Sequence, residues 1–161
     1  MYDLQEFSVE ANLQDFDMRG YYSSFKGDEI FDAYDFIVGN LENSDEKILL
    51  YGYSLGGYNI NELGKMLSDN GYNVSLMVTV DAYNGDPINF EGIEVPERVN
   101  TNLNLYQSER SRVLSRGFPS KASSDKTNLI NIKINEVKHS TIDEKTNRFS
   151  ETIIENELLY K

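Results

Sequence analysis

The run Ile48-Leu49-Leu50-Tyr51 leads into Gly52-Tyr53-Ser54-Leu55-Gly56-Gly57, a serine held between glycines at the spacing G-x-S-x-G. A serine so placed sits on a sharp turn between a buried strand and a helix, with its hydroxyl raised out of the sheet. The flanking glycines let strand and helix approach more closely than a side chain would permit. A hydroxyl is a poor nucleophile near neutral pH and needs a base to take its proton. Imidazole has the pKa for that task, and the chain contains one histidine, His139. The imidazole must itself be kept in one tautomer by an acceptor on its far nitrogen, usually a buried carboxylate. Asp81, directly after the apolar run Val74 to Val80, is the leading candidate for that acceptor. Glu109 stands second, ahead of Asp86, Asp125 and Asp143.

Attack of a serine on a carbonyl produces an oxyanion that requires preorganised donors. The backbone N–H of Leu55 is the first, because it opens the helix expected after the serine and shares that terminus's partial positive charge. No His-Gly pair precedes the serine to supply a second, which leaves Gly20 and Tyr21 as candidates. The tyrosine-rich segment Asp17 to Tyr22 is equally suited to line an acyl pocket or to pack on the surface.

The elements that must position these groups are legible as periodicities. Ile30, Phe31, Tyr34, Ile37, Val38 and Leu41 recur at helical spacing, with Asp28 expected as the N-cap. Ile60, Leu63, Met66 and Leu67 predict a second helix closed by Asn70-Gly71. Ile48 to Tyr51 and Val74 to Val80 read as strands covered on both faces. Leu103 to Tyr106 gives a short strand, and Ile130, Ile132 and Ile134 alternate with polar residues as on a sheet edge. A final helix is expected from about Arg148 to Tyr160, burying Phe149, Ile153, Ile154 and Leu158. The pattern predicts one α/β domain with a mostly parallel sheet of about five strands flanked by helices. Ligands collect at the carboxyl ends of such strands, and Ser54, Asp81 and His139 all fall there.

With 161 residues, 39% hydrophobic content and no cysteine, the chain fits one soluble domain, and cysteine nucleophiles and thiolate metal sites are excluded. A net charge of −12 argues against nucleic acid as a partner. Arg110, Arg112, Arg116, Lys121 and Lys126 form a local basic cluster, read as a solvated loop in preference to a contact for an acidic headgroup. The absence of a long apolar run and of a basic, apolar start predicts no integral membrane segment and a cytoplasmic location. Self-association into a homo-oligomer is left open.

The chain resembles the α/β-hydrolase superfamily, in particular lipase- and esterase-like serine hydrolases. The matching blocks are GYSLGG at Gly52 to Gly57, VTVDAYNG at Val78 to Gly85, NLYQ at Asn104 to Gln107 and KHSTID at Lys138 to Asp143. The order Ser, Asp, His along the chain is that of the superfamily. The resemblance spans roughly Phe25 to Asp143 and implies a small or truncated version of that fold. It further implies hydrolysis of a small-molecule or lipid ester through Ser54, His139 and Asp81, with neither a metal nor an organic cofactor. The sheet is shorter than that of a full hydrolase, and Phe7 to Leu13 is expected to replace the strand that carries the usual oxyanion loop. Two other readings share the fold: a binding protein without the chemistry, and a fragment completed by a partner chain. Asn104, Tyr106 and Gln107 are expected to support the acid, while the loops Gly85 to Asn100 and Ser108 to Thr127 would shape the pocket.

Overall fold

Strand β1 (Ile48–Tyr53) alternates its side chains between two apolar clusters, Ile48 and Leu50 facing one and Leu49, Tyr51 and Tyr53 the other. A strand packed on both faces, one buried and the other partly buried, belongs inside a layered α/β sheet. A computed structural model shows that sheet and describes residues 17–43, 46–84, 86, 91–107 and 117–159. Phe7 to Leu13, Glu109, Arg110, Arg112 and Arg116 lie outside the described residues.

In chain order the elements are α1 (Asp28–Asn40), β1, α2 (Leu55–Asp69), β2 (Val74–Val80), β3 (Glu94–Val95), β4 (Val99–Tyr106), β5 (Lys121–Ala122), β6 (Asn128–Lys133) and α3 (His139–Leu159). The main sheet runs β1-β2-β4-β6, each neighbouring pair parallel. It therefore holds four strands where about five are expected, with the short parallel pair β3-β5 forming a separate ribbon. β6 is an edge strand, as its alternating sequence predicts. One face packs against α1 and α2 through Ile30, Tyr34, Leu63, Leu67 and Met77; the other is covered by α3 through Ile142, Ile153 and Ile154. Among the described residues, no helix is long and apolar enough to cross a membrane.

The helix ends follow local chemistry. Gly27, at φ 71°, caps α1 in place of the expected Asp28, which is the first helical residue; the left-handed backbone there suits glycine. At the end of α2, Tyr72 N–H reaches Leu67 O at 2.9 Å and Gly71 N–H reaches Ser68 O at 3.0 Å, with Gly71 at φ 88°. These two bonds close the helix with a Schellman motif.

Two elements differ from expectation. β4 begins at Val99 and not at Leu103, because Asn102 and Asn104 turn inward and find amide partners there. α3 begins at His139 and not near Arg148. Its buried face carries Ile142, Thr146 and Ser150, so polar residues interrupt the apolar period, and Thr146 Oγ1 donates to Ile142 O at 2.8 Å. Phe149, expected in the core, is 45% exposed. The strand expected from the alternation of Ile130, Ile132 and Ile134 correspondingly runs from Asn128 and stops at Lys133, leaving residues 134–138 to turn the chain back over the sheet.

Candidate active site

Register alone brings two of the three candidate residues together. Tyr53 pairs with Val80, so Ser54 and Asp81 are the residues immediately past the last matched pair of adjacent parallel strands. Their backbones are tied into the next strand over: Ser54 N–H to Val80 O at 2.9 Å and Asp81 N–H to Leu105 O at 2.7 Å. Neighbouring strands are separated by about 4.8 Å, which sets these side chains on one rim. His139 arrives from the opposite side, as the first residue of α3.

The three side chains form one hydrogen-bonded chain. Ser54 Oγ lies 2.8 Å from His139 Nε2, and His139 Nδ1 lies 2.6 Å from Asp81 Oδ2. Asp81 is fully buried and acts as an acceptor, so the neutral ring carries its proton on Nδ1. Nε2 is then the acceptor for the Ser54 hydroxyl. Asp86, Asp125 and Asp143 are not the acid that meets the ring; Asp81 is.

Both rim residues hold unusual backbones. Ser54 has φ 55° and ψ −122°, and Asp81 has φ 47°. Such conformations cost on the order of 1–3 kcal/mol and persist where surrounding structure enforces them. The enforcing contacts are visible. A Cβ on Gly52 would stand 2.3 Å from Gly56 O, and one on Gly57 would stand 2.8 Å from Ala82 Cβ. The glycine spacing thus exists because strand, turn and helix backbones are in direct contact. Ser54 O additionally accepts Tyr83 N–H at 3.1 Å, which fastens the turn to the segment after Asp81.

Asp81 is held from a second direction. Gln107 Nε2 donates to Oδ2 at 2.9 Å and Gln107 N–H to Oδ1 at 3.3 Å. Gln107 therefore supports the carboxylate directly, as the sequence suggests. Asn104 acts at one remove: its amide nitrogen donates to Phe118 O and to Asn131 Oδ1, while Asn131 also binds both backbone groups of Ser120. This stitching lays residues 117–120 along the sheet and presses Gly117 against the acid. A Cβ on Gly117 would fall 2.2 Å from Asp81 Oδ1 and 2.8 Å from Tyr106 Cα. Gly117→Ala is expected to lower both the melting temperature and any His139-dependent activity, with an overpacking cost of about 1–3 kcal/mol, measurable by thermal denaturation.

Tyr53 buttresses the imidazole, a role the sequence did not reveal. Its ring stacks on His139 with centroids 5.1 Å apart and planes at 27°, and its hydroxyl donates to the His139 carbonyl. The only sequence signal was its position in β1, facing the same side as Leu49 and Tyr51. Burial, then the negative charges of Asp143 and Asp81, push the phenol up to about 12. A raised native pKa stabilises the fold fully below the unfolded value of about 10. That contribution is lost as pH rises through about 12. Tyr53→Phe should therefore weaken the dependence of melting temperature on pH across that alkaline window, read by denaturation at successive pH values. Loss of the hydrogen bond to the His139 carbonyl should also lower any His139-dependent activity about fivefold.

The segment before α1 approaches the other side of the turn. Ser23 Oγ lies 3.0 Å from the position a Cβ would take on Gly56. The segment is pinned by Glu29, whose carboxylate accepts Ser24 N–H and Ser24 Oγ–H, and by Asn59 Nδ2, which donates to Ser24 O at 3.2 Å and to Glu29 Oε1 at 2.7 Å. Burial works to raise the Glu29 pKa, but these hydrogen bonds outweigh it and hold the carboxyl below its ordinary range. Tyr21 turns its hydroxyl to Asp32 O and packs with the α1–α2 core, and a Cβ on Gly20 would meet nothing within 4 Å. Leu55 occupies the first position of α2, where the helix leaves its N–H unpaired within the helix. No protein-family model matches this chain, and neither a curated protein nor a solved structure does.

Proposed function

We propose that this protein is a serine hydrolase of carboxylic esters, lipase- or esterase-like in its chemistry. One observation carries the reading: Ser54 Oγ, His139 and buried Asp81 form a continuous hydrogen-bonded chain at the carboxyl ends of adjacent strands, with serine on a strained turn. Structural serines have no need of that arrangement, whereas general-base activation of a hydroxyl requires it.

In this mechanism Nε2 removes the Ser54 proton as Oγ attacks the ester carbonyl. The resulting imidazolium is stabilised by the Asp81 carboxylate, which Gln107 holds in place. The oxyanion forms beside the Leu55 N–H at the start of α2, where the helix dipole favours negative charge. His139 then protonates the leaving alkoxide, and the acyl group remains on Ser54. Water, deprotonated by the same nitrogen, releases the acid and restores the serine.

Ser23 joins Gly20 and Tyr21 as a candidate for the second oxyanion donor. Its support is the position of Oγ against Gly56, two residues beyond the nucleophile. Ser23→Ala should lower kcat on a p-nitrophenyl ester by about 10²–10³-fold with little change in KM. The test of the whole reading is turnover of p-nitrophenyl acetate by the purified chain. A burst of p-nitrophenol equal to the enzyme concentration supports an acyl-enzyme on Ser54, and no release above buffer contradicts it.

A further inference from the structure

We infer that the groove between α1 and α2 binds the long acyl limb of the ester, so that this chain favours lipid-like esters over short ones. The inference rests on the hydrolase reading above but uses a different part of the molecule. The groove has a volume of about 460 Å³. Leu55, Tyr58 and Met66 of α2 form one wall, and Phe25, Ile30 and Phe31 form the other.

Three features select the occupant. The first is nearness to Ser54: Leu55, in the lining, follows the serine, and Asn84, also in the lining, follows the Tyr83 whose N–H binds Ser54 O. From Leu55 the lining follows one face of α2 to Asp69, an axial span of about 21 Å. That shape suits an extended chain better than a compact group. The second feature is exposure. Phe25 and Phe31, both in the lining, are 80% and 63% exposed. Aromatic residues gathered beside one groove mark a binding surface more strongly than a single exposed ring does. The third is charge: Lys26 and Lys65 are balanced by Glu62 and Asp69, so the lining offers no net field to select an ionic ligand. An uncharged hydrocarbon chain meets all three conditions.

Binding and turnover are measured separately, so the groove and the hydrolase reading can fail independently. The binding arm titrates dansyl-undecanoate, a fatty acid with no ester to hydrolyse, into Ser54→Ala protein. Saturable fluorescence enhancement, displaced by laurate but not by acetate, is expected. Met66→Trp, which fills the groove, and Phe31→Ser, which removes an exposed wall without touching the core, should each weaken it at least tenfold. Absence of saturable binding, or binding unaltered by both substitutions, overturns the groove. The turnover arm compares p-nitrophenyl acetate, butyrate, octanoate and dodecanoate in the unsubstituted protein. Each buried methylene should raise kcat/KM by up to about fourfold, and Met66→Trp should flatten the series. Turnover with no chain-length preference also overturns the groove while leaving the hydrolase intact. Saturable, groove-dependent binding with no ester hydrolysed would keep the groove and remove the hydrolase.

Discussion

Ser54→Ala is expected to fold as the parent does and to hydrolyse esters about 10⁶-fold more slowly. The substitution removes only the atom 2.8 Å from His139 Nε2 and leaves the turn glycines in contact. The small residual rate would come from the Leu55 N–H and from substrate positioning, which survive without a nucleophile. Because Ser54 carries φ 55°, alanine inherits the strain without relieving it, and the melting temperature should move little. A steady-state comparison against p-nitrophenyl acetate, with circular dichroism to verify folding, measures the effect. Equal turnover in both proteins would mean that any hydrolysis arises elsewhere.

Asp81→Asn should cost about 10⁴-fold in kcat for a different reason. Gln107 donates from Nε2 to Oδ2 and from its backbone N–H to Oδ1, and Oδ2 is also the oxygen that meets His139. An amide nitrogen in place of Oδ2 gives up the Gln107 Nε2 bond, leaves the amide oxygen to the Gln107 N–H, and faces His139 Nδ1, which can receive that donor only if it is unprotonated. The ring proton moves to Nε2 and points at Ser54, so the base is lost although every side chain stays in place. Stability should change less than activity, because the buried group becomes neutral and keeps the Gln107 backbone N–H while losing one hydrogen bond. Stopped-flow acylation rates for the Asn variant would separate this tautomer effect from a folding defect. A fall of less than about tenfold would show that the buried carboxylate does not orient the ring.

Much of this arrangement was written in short-range sequence. The glycines around Ser54 announce backbone contact wherever they fall, and β2 is a largely apolar run, so strand, turn and position on the rim follow from local rules. The α2 terminus is equally local, with Asn70-Gly71 closing it as expected. What escaped depends on partners distant in sequence. The asparagines of β4 read as loop residues because strands are poor in asparagine. In the folded chain Asn102 donates to Met77 O and Asn104 bridges to Phe118 and Asn131. The start of α3 was obscured because Thr146 and Ser150 occupy buried positions where an apolar period would place leucine or isoleucine. That matters for the site, since the helix start is what fixes His139. Tyr53, Ser23 and Gly117 could not be assigned from spacing at all: each lies against a residue that only the topology brings near. Gln107 was legible as a neighbour of the acid, although its two hydrogen bonds to Asp81 were not.

The measurement that bears most directly on the account is covalent labelling of the folded chain with a fluorophosphonate, followed by peptide mapping. The reagent reacts with a serine only when a neighbouring base raises its nucleophilicity. One adduct on Ser54 is predicted, absent from urea-unfolded protein and lost on replacing His139 by Ala. A folded chain that leaves Ser54 unmodified, while an active serine hydrolase in the same tube is labelled, would contradict the claim that His139 activates that hydroxyl.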